Sequence, residues 1–403
     1  MAGPLAGIRV LDLSRVLAAP WAGQNLADLG AEVIKVERPK VGDDSRAFGP
    51  PWIKDAEGRD TKDSAYFTSA NRGKKSITVD LSKPDGQSLV RRLAERSDVL
   101  LENYKYGDLE RYGLGYEQLK AVNPRLVYCS VTGFGHTGPY RERPGYDFMI
   151  QGMGGMMSVT GEPDAGPQRA GVPVADIITG MYASIAVCAA LVYRARSGKG
   201  QHLDLALLDS QIALLAYQNT NYFATGRPPR RIGNLHPNIV PYQPFRASDG
   251  EVILACGNDN LFRKFCEAAG CPELAADPRF ATNGQRVENR DELKRLLDAI
   301  FARRTKKEWV ERLEAAGVPN GPINDIAQVF EEPQVKARGI KVEVAHPVAG
   351  TLPMVASPMR FSATPLEHKV PPPTLGQHTE EILTELLGAD AAEIARLRAA
   401  GAI

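Results

Sequence analysis

Asp176 is the residue whose setting could most readily do chemistry. It heads an almost unbroken apolar run, 177–193, and follows the segment Ala170-Gly-Val-Pro-Val-Ala. An aspartate at such a place can serve as a helix N-cap. It can also be a carboxylate kept ionised by the helix N-terminus and poorly hydrated by the apolar helix behind it, which suits nucleophilic attack. Upstream lie Gly145-Tyr-Asp-Phe and Gln151-Gly-Met-Gly154-Gly155-Met-Met. The glycines would let a backbone approach a ligand closely and leave amide groups to stabilise an oxyanion.

Other chemistries lose support on the same inspection. The first turn, Leu13-Ser-Arg-Val-Leu-Ala-Ala-Pro, has none of the glycines of GxGxxG, so a nicotinamide cofactor is not expected. Gly73-Lys-Lys-Ser lacks the upstream glycine of a phosphate loop. There is no GxSxG and no HExxH, and the six histidines are dispersed. Arg38 stands where a dinucleotide binder would carry an acid for the ribose hydroxyls. An arginine there suits a phosphorylated ribose, with a solvated strand end as the plain alternative.

These residues need a scaffold, and the pattern around them is an alternating one. Strands are expected at 8–13, 31–37, 76–80, 98–102, 126–131 and 200–206, with helices at 20–29, 84–97, 177–193 and 210–223. Strand, helix, strand in that succession makes parallel units, and hence a doubly wound α/β, Rossmann-like domain. The apolar run 177–193 is at the short limit for crossing a bilayer and ends in a basic, glycine-containing turn, so it reads as a buried core helix. Prolines, glycines and arginines from Gly226 mark a linker. A strand near Val252 and helices at 260–269, 290–302 and 306–316 make a smaller α+β domain. Helices at 380–387 and 391–399 close the chain. The expected division is 1–224 as the large domain, 225–333 as linker and small domain, and 334–403 returning to the large one.

Composition agrees with a folded protein of this kind. The 403 residues carry 49 Lys+Arg against 48 Asp+Glu, a net charge of +1, which argues against a nucleic-acid partner. With 43% hydrophobic and 24% charged residues, the chain can build a core. The five cysteines are odd in number and lack metal-ligand spacing, so neither a disulfide framework nor a metal site is expected. Without a basic stretch and long apolar run at its start, the chain is expected in the cytoplasm and not in a membrane.

Together the segments resemble family III acyl-CoA transferases, the CaiB/BaiF group that includes formyl-CoA transferase. The segments are Pro4-Leu-Ala-Gly-Ile-Arg-Val-Leu-Asp-Leu-Ser, Leu29-Gly-Ala-Glu-Val-Ile-Lys-Val-Glu-Arg-Pro, Asn71-Arg-Gly-Lys-Lys-Ser-Ile-Thr-Val-Asp-Leu, Asp98-Val-Leu-Leu-Glu-Asn-Tyr, Gly145-Tyr-Asp, Asp176-Ile-Ile-Thr-Gly-Met and Gly198-Lys-Gly-Gln. Each alone is weak, but their order and spacing over nearly the whole chain are specific.

The resemblance implies Asp176 as nucleophile, forming an aspartyl anhydride and then an aspartyl-CoA thioester, with no cofactor beyond the CoA ester that is itself substrate. It implies a CoA site at Val16, Ala18, Arg38, Val79, Asp80, Leu81, Ser82, Asn103, Tyr104, Lys105 and Arg111, and an interlocked homodimer acting on acyl-CoA and small carboxylic acids. Arg15 and Leu17 stand where formyl-CoA transferase has a histidine and a glutamine, so contacts near the thioester should differ.

Related α-methylacyl-CoA racemases carry a histidine where this chain has Tyr146. A phenol with an ordinary pKa of about 10 is a poor base, which favours the transferase. Asp147 would hydrogen-bond near the nucleophile or hold a turn. Arg227, Arg230 and Arg231, ahead of Gly233-Asn-Leu-His236, would meet a dicarboxylate or form a solvated turn. With Tyr146, Asp147, Gly154 and Gly155, residues Arg231 and His236 make the expected substrate set. Similarity to the succinyl-CoA:glutarate branch implies a succinyl-CoA-dependent dicarboxylate transferase. A racemase and a non-catalytic CoA binder remain open.

Overall fold

The computed structural model describes residues 3–403; Met1 and Ala2, where the reading of the N-terminus begins, lie outside the described residues. The chain divides into two units. The larger holds residues up to Met156, Arg169–Gly226 and Lys336–Ile403, and the smaller holds Met157–Gln168 and Arg227–Val335.

The larger unit is built on a six-stranded sheet: β1 (Arg9–Asp12), β2 (Glu32–Glu37), β3 (Lys74–Thr78), β4 (Val99–Glu102), β5 (Val127–Thr132) and β6 (His202–Ala206). Its order is β3-β2-β1-β4-β5-β6, and every pairing is parallel. Short apolar strands alternating with helices give this doubly wound arrangement because each right-handed crossover lays a helix over one sheet face. One face packs on α2 (Pro84–Glu95), whose Leu89, Val90 and Leu93 are buried with Leu11, Ile34 and Leu100. The other packs on α1 (Ala18–Asp28) and α4 (Val174–Ser197), bringing Ala22, Leu26, Ala183 and Val187 onto Val10, Val33 and Val99. α3 (Asp147–Met153) precedes α4 in the chain.

Three expectations change. β3 starts at Lys74 rather than at 76, because Lys74 is fully buried with its ammonium held by Asp12, the Pro20 carbonyl and Asn71, at 2.8, 2.9 and 2.9 Å. A lysine pair reads as loop until its buried partner is known. The helix expected over 210–223 is two, α5 (Leu207–Leu214) and α6 (Tyr217–Thr225), broken at Ala216 with φ +45°. Finally, α4 is not a fully buried core helix. Ala183, Val187 and Ala190 face the sheet, but Ile185 is 62% exposed and Met181, Tyr182, Val192 and Tyr193 are exposed with it.

The smaller unit is α+β. An antiparallel sheet of Tyr242–Ala247, Gly250–Ala255 and Asn320–Pro322 packs on helices including Asp259–Ala269, Arg290–Phe301 and Lys306–Ala315. Phe245, Phe265, Phe301 and Trp309 form its aromatic centre, and the Trp309 indole N–H donates to the Phe301 carbonyl at 2.8 Å. Residues 157–168, expected in the large domain, cluster with this unit.

Candidate active site

α4 starts at Val174, and Pro173 before it has no side chain able to cap. Asp176 is therefore the third residue of the helix and not its N-cap. The cap comes from another helix. Asp147, at the start of α3, accepts the N–H groups of Ala175 and Asp176 at 2.8 and 3.3 Å, and the Gln151 amide at 2.7 Å. These are amide groups that a helix start leaves without partners, and the Asp147 carboxylate answers them. Gly180, one turn beyond Asp176, has no room for a side chain: a Cβ there would lie 2.4 Å from the Ala18 carbonyl of α1. The first turns of α4, which carry Asp176, thus pack directly on the start of α1.

Asp176 is half-buried and has no cation partner among the described ion pairs. Burial, and then the negative charge of Asp147, push its pKa up to about 7. A helix N-terminus alone would keep it ionised, as expected from sequence, but here desolvation and a like charge outweigh that field. The same charges reach Tyr66, whose hydroxyl is pushed up to about 12 by burial and then by Asp176, Asp147 and Asp43. Tyr66 therefore stays neutral.

Asp176 opens onto a cavity of about 210 Å³ whose wall includes Val16, Ala18, Asn103, Tyr104, Lys105 and Tyr146. A second cavity, of about 150 Å³, is lined by Arg38 and by Val79, Asp80, Leu81 and Ser82. Arg15 and Tyr104 line both. The two spaces thus share a wall, one reaching Asp176 and the other the ends of β2 and β3, which suits a long ligand with one reactive end. Arg38, on the wall of the second cavity, is paired with Asp44, on the wall of the first. Arg111 lines neither cavity and pairs with Asp108.

The first turn of the larger unit is held from beneath. Val16 has φ +71°, a conformation that a β-branched residue adopts only under constraint. Its N–H donates to Asp43 at 3.1 Å, and Asp43 also forms an ion pair with buried Lys35 at 2.8 Å. Burial would raise the Asp43 pKa, but the Lys35 charge and the N–H groups of Ser45 and Val16 bring it down to about 2.

The remaining expected residues fall elsewhere. Gly154 and Gly155 line neither cavity. A Cβ on Gly154 would sit 2.5 Å from the Gln211 side chain, and Gly155 has φ +88°, so helix packing and a tight turn explain both. Arg231 lies in the smaller unit, where it donates to the carbonyls of Glu162 and Ala165 at 3.4 and 2.8 Å. His236 is in that unit too, as are Arg227 and Arg230. Sequence reasoning missed Asp43, Arg141 and Arg143. The last two line the Asp176 cavity from the loop 133–145. Glycine punctuation marks that loop in the sequence, but nothing there shows that its ends meet.

Comparison with known proteins agrees with this architecture. The profile of CoA-transferase family III matches residues 5–379. The chain belongs to that family. It is 51% identical over 383 residues to a succinate–glutarate CoA-transferase of Agrobacterium fabrum, covering 95% of this chain and 96% of the relative. It is 44% identical to a succinyl-CoA:glutarate CoA-transferase of Mus musculus over 99% of this chain and 90% of the relative. Among solved structures, a CaiB/BaiF family protein from Brucella suis superposes with a TM-score of 0.84 at 52% identity, covering 96% of this chain and all of the other. The protein is thus a family III CoA-transferase, and the transfer of CoA is the activity its site must serve.

Proposed function

We propose that this transferase moves CoA from succinyl-CoA to glutarate or a closely similar dicarboxylate, with Asp176 as the covalent nucleophile. The observation that carries the reading is a poorly hydrated carboxylate, without a cation partner among the described ion pairs, on the wall of a cavity that shares Arg15 and Tyr104 with a second one. The names of the relatives supply the acid pair.

The steps balance through carboxylates and one thiolate. An Asp176 oxygen attacks the thioester carbonyl, the C–S bond breaks, and CoA leaves as thiolate from a succinyl–aspartyl anhydride. The thiolate attacks the aspartyl carbonyl, which frees succinate and leaves an aspartyl-CoA thioester. The acceptor carboxylate then attacks that carbonyl and expels the thiolate, which takes the new acyl group and restores the Asp176 carboxylate. This sequence calls on no metal or redox group. A carboxylate attacks a thioester poorly in water, so orientation must supply much of the rate, and holding partners in place can be worth roughly 7 to 11 kcal/mol. Weak hydration of Asp176 adds nucleophilicity, because little water has to be stripped from it before it attacks.

In this reading Arg38 and the Val79–Ser82 turn hold the phosphorylated end of CoA, Val16 to Ala18 and Asn103 to Lys105 flank the pantetheine arm, and Tyr146 and Asp147 border the reacting acyl group. Arg111, Gly154, Gly155, Arg231 and His236 remain candidates without a place in either cavity. We further propose that a second copy covers exposed apolar side chains of the larger unit, among which Phe223, Phe148 and Ile185 are 77%, 65% and 62% exposed. So much exposed apolar side chain is unusual for a monomer. A tyrosine at position 146 favours transfer over α-carbon racemisation.

The test mixes succinyl-CoA with a panel of acids and identifies the CoA esters by mass. Glutaryl-CoA from the wild type and none from Asp176→Asn supports the reading. Exchange of an α-proton without any new ester would favour an isomerase instead.

A further inference from the structure

The cavity that holds Asp176 has three arginines on its wall, Arg15, Arg141 and Arg143. Two are already engaged with carboxylates. Arg15 pairs with Asp44 at 3.1 Å and Arg141 with Glu142 at 3.7 Å. Arg143 has no carboxylate partner among the described ion pairs. Arg15 and Arg141 each lie over one ring as well, Tyr104 and Tyr106 at 5.1 and 4.8 Å, but the Arg143 guanidinium lies over two, 4.4 Å from the centroid of Tyr140 and 5.3 Å from that of Phe134. Stacking of this kind fixes the plane of the group while its N–H edge stays available, and a planar fork is what matches a carboxylate in two parallel hydrogen bonds.

The loop that presents Arg143 is anchored at its base. Gly133 and Gly145 pass so closely that a Cβ on either would lie 2.6 or 2.4 Å from the other's Cα. The Arg143 N–H also donates to the Tyr140 carbonyl at 2.9 Å, closing a turn beneath the side chain. Lys105 is the remaining cation of the wall, and it belongs to the stretch assigned above to CoA.

We infer that Arg143 is a specificity-determining residue: it receives the remote carboxylate of the acid whose other carboxylate reacts at Asp176, and so selects dicarboxylic over monocarboxylic acids. The inference rests on the dicarboxylate reading above and names the residue that enforces it. It also shifts that role from the arginine cluster 227–231 to the loop 133–145.

A competition experiment tests it. The protein is given succinyl-CoA with equal concentrations of glutarate and pentanoate, acids of equal length that differ by one carboxylate. Both acids draw on the same CoA-loaded enzyme, so the ratio of glutaryl-CoA to pentanoyl-CoA reports acceptor choice alone. Losing a charged hydrogen-bond donor should lower that ratio by roughly ten- to a hundred-fold in Arg143→Gln. Arg143→Lys, which keeps the charge and loses the fork, should fall between. Binding of free CoA and the melting temperature should match the wild type in both. A wild type that favours glutarate, with the same ratio in both variants, overturns the role of Arg143 and leaves the dicarboxylate reading standing. A wild type that makes both esters equally well overturns the dicarboxylate reading, and the inference with it.

Discussion

The larger unit treats its buried carboxylates in two opposite ways, a few residues apart in space. Beneath the first turn, Asp12 and Asp43 are each matched with a buried lysine, Lys74 and Lys35, at 2.8 Å. Burial alone would raise their pKa values, yet the ammonium charges win and both are lowered, Asp43 to about 2. At the start of α4 the neighbour of Asp176 is another carboxylate, Asp147, and its pKa is pushed up to about 7. The first set is locked and inert. The second keeps a carboxyl group under-solvated and unpaired, which costs stability and leaves the group free to react. Between these two places it is pairing that differs; Glu102, also buried and pushed up to about 7 by desolvation, shows that a raised pKa alone does not mark a reactive group.

The comparison breaks most visibly at Asp176 itself. Asp176→Asn keeps the shape and removes the nucleophile, so turnover should fall at least roughly a thousandfold in a steady-state assay of CoA-ester exchange. The same variant should melt at a higher temperature than the wild type at pH 8. The carboxyl group is harder to ionise in the folded chain than in the unfolded one, so ionisation favours unfolding. That cost is absent below the unfolded value of 3.8, grows as pH rises towards about 7, and is complete above it. The separation of these values corresponds to about 4 kcal/mol, and solvent screening of a half-buried carboxylate makes the actual cost smaller. The gain in melting temperature should therefore vanish near pH 4.

On the scaffold side the sign reverses. Lys74→Met leaves Asp12 buried without its partner and should destabilise by about 3 to 5 kcal/mol in denaturant titration. The double variant Lys74→Met with Asp12→Leu removes both charges and should recover much of that loss.

The pH profile sharpens the contrast. Activity that needs ionised Asp176 should rise with pH through about 7 in kcat/KM for the acyl-CoA. Asp147→Asn removes the like charge while its amide oxygen can still accept from Ala175, so the limb should move to lower pH by roughly one unit. An unmoved limb would mean that Asp147 acts on α4 through hydrogen bonding alone.

Much of this frame is legible in the sequence because strand and helix spacing follow local apolar periodicity. The run of strands through β6 and the helices at either end of the larger unit come from that signal. What resists reading is whatever depends on a distant partner. Lys74 looks like loop until Asp12 is seen beneath it. Asp176 looks like a cap because nothing local shows that Asp147, on a different helix, already fills that role. Gly154 and Gly155 look like a ligand cradle, but Gln211 and a turn claim them. The clustered arginines 227–231 draw notice by density alone, while Arg143 sits with Arg141 in a loop whose closure depends on two glycines twelve positions apart.

The central claim is that Asp176 carries the acyl and CoA groups in turn. Intact-mass spectrometry of the protein mixed with succinyl-CoA and no acceptor acid, followed by peptide mapping, tests it most directly. The expected result is a chain heavier by one CoA, with the thioester on the peptide containing Asp176 and discharged when glutarate is added. Full turnover with no adduct on that peptide, or an adduct that persists in Asp176→Asn, would contradict the claim.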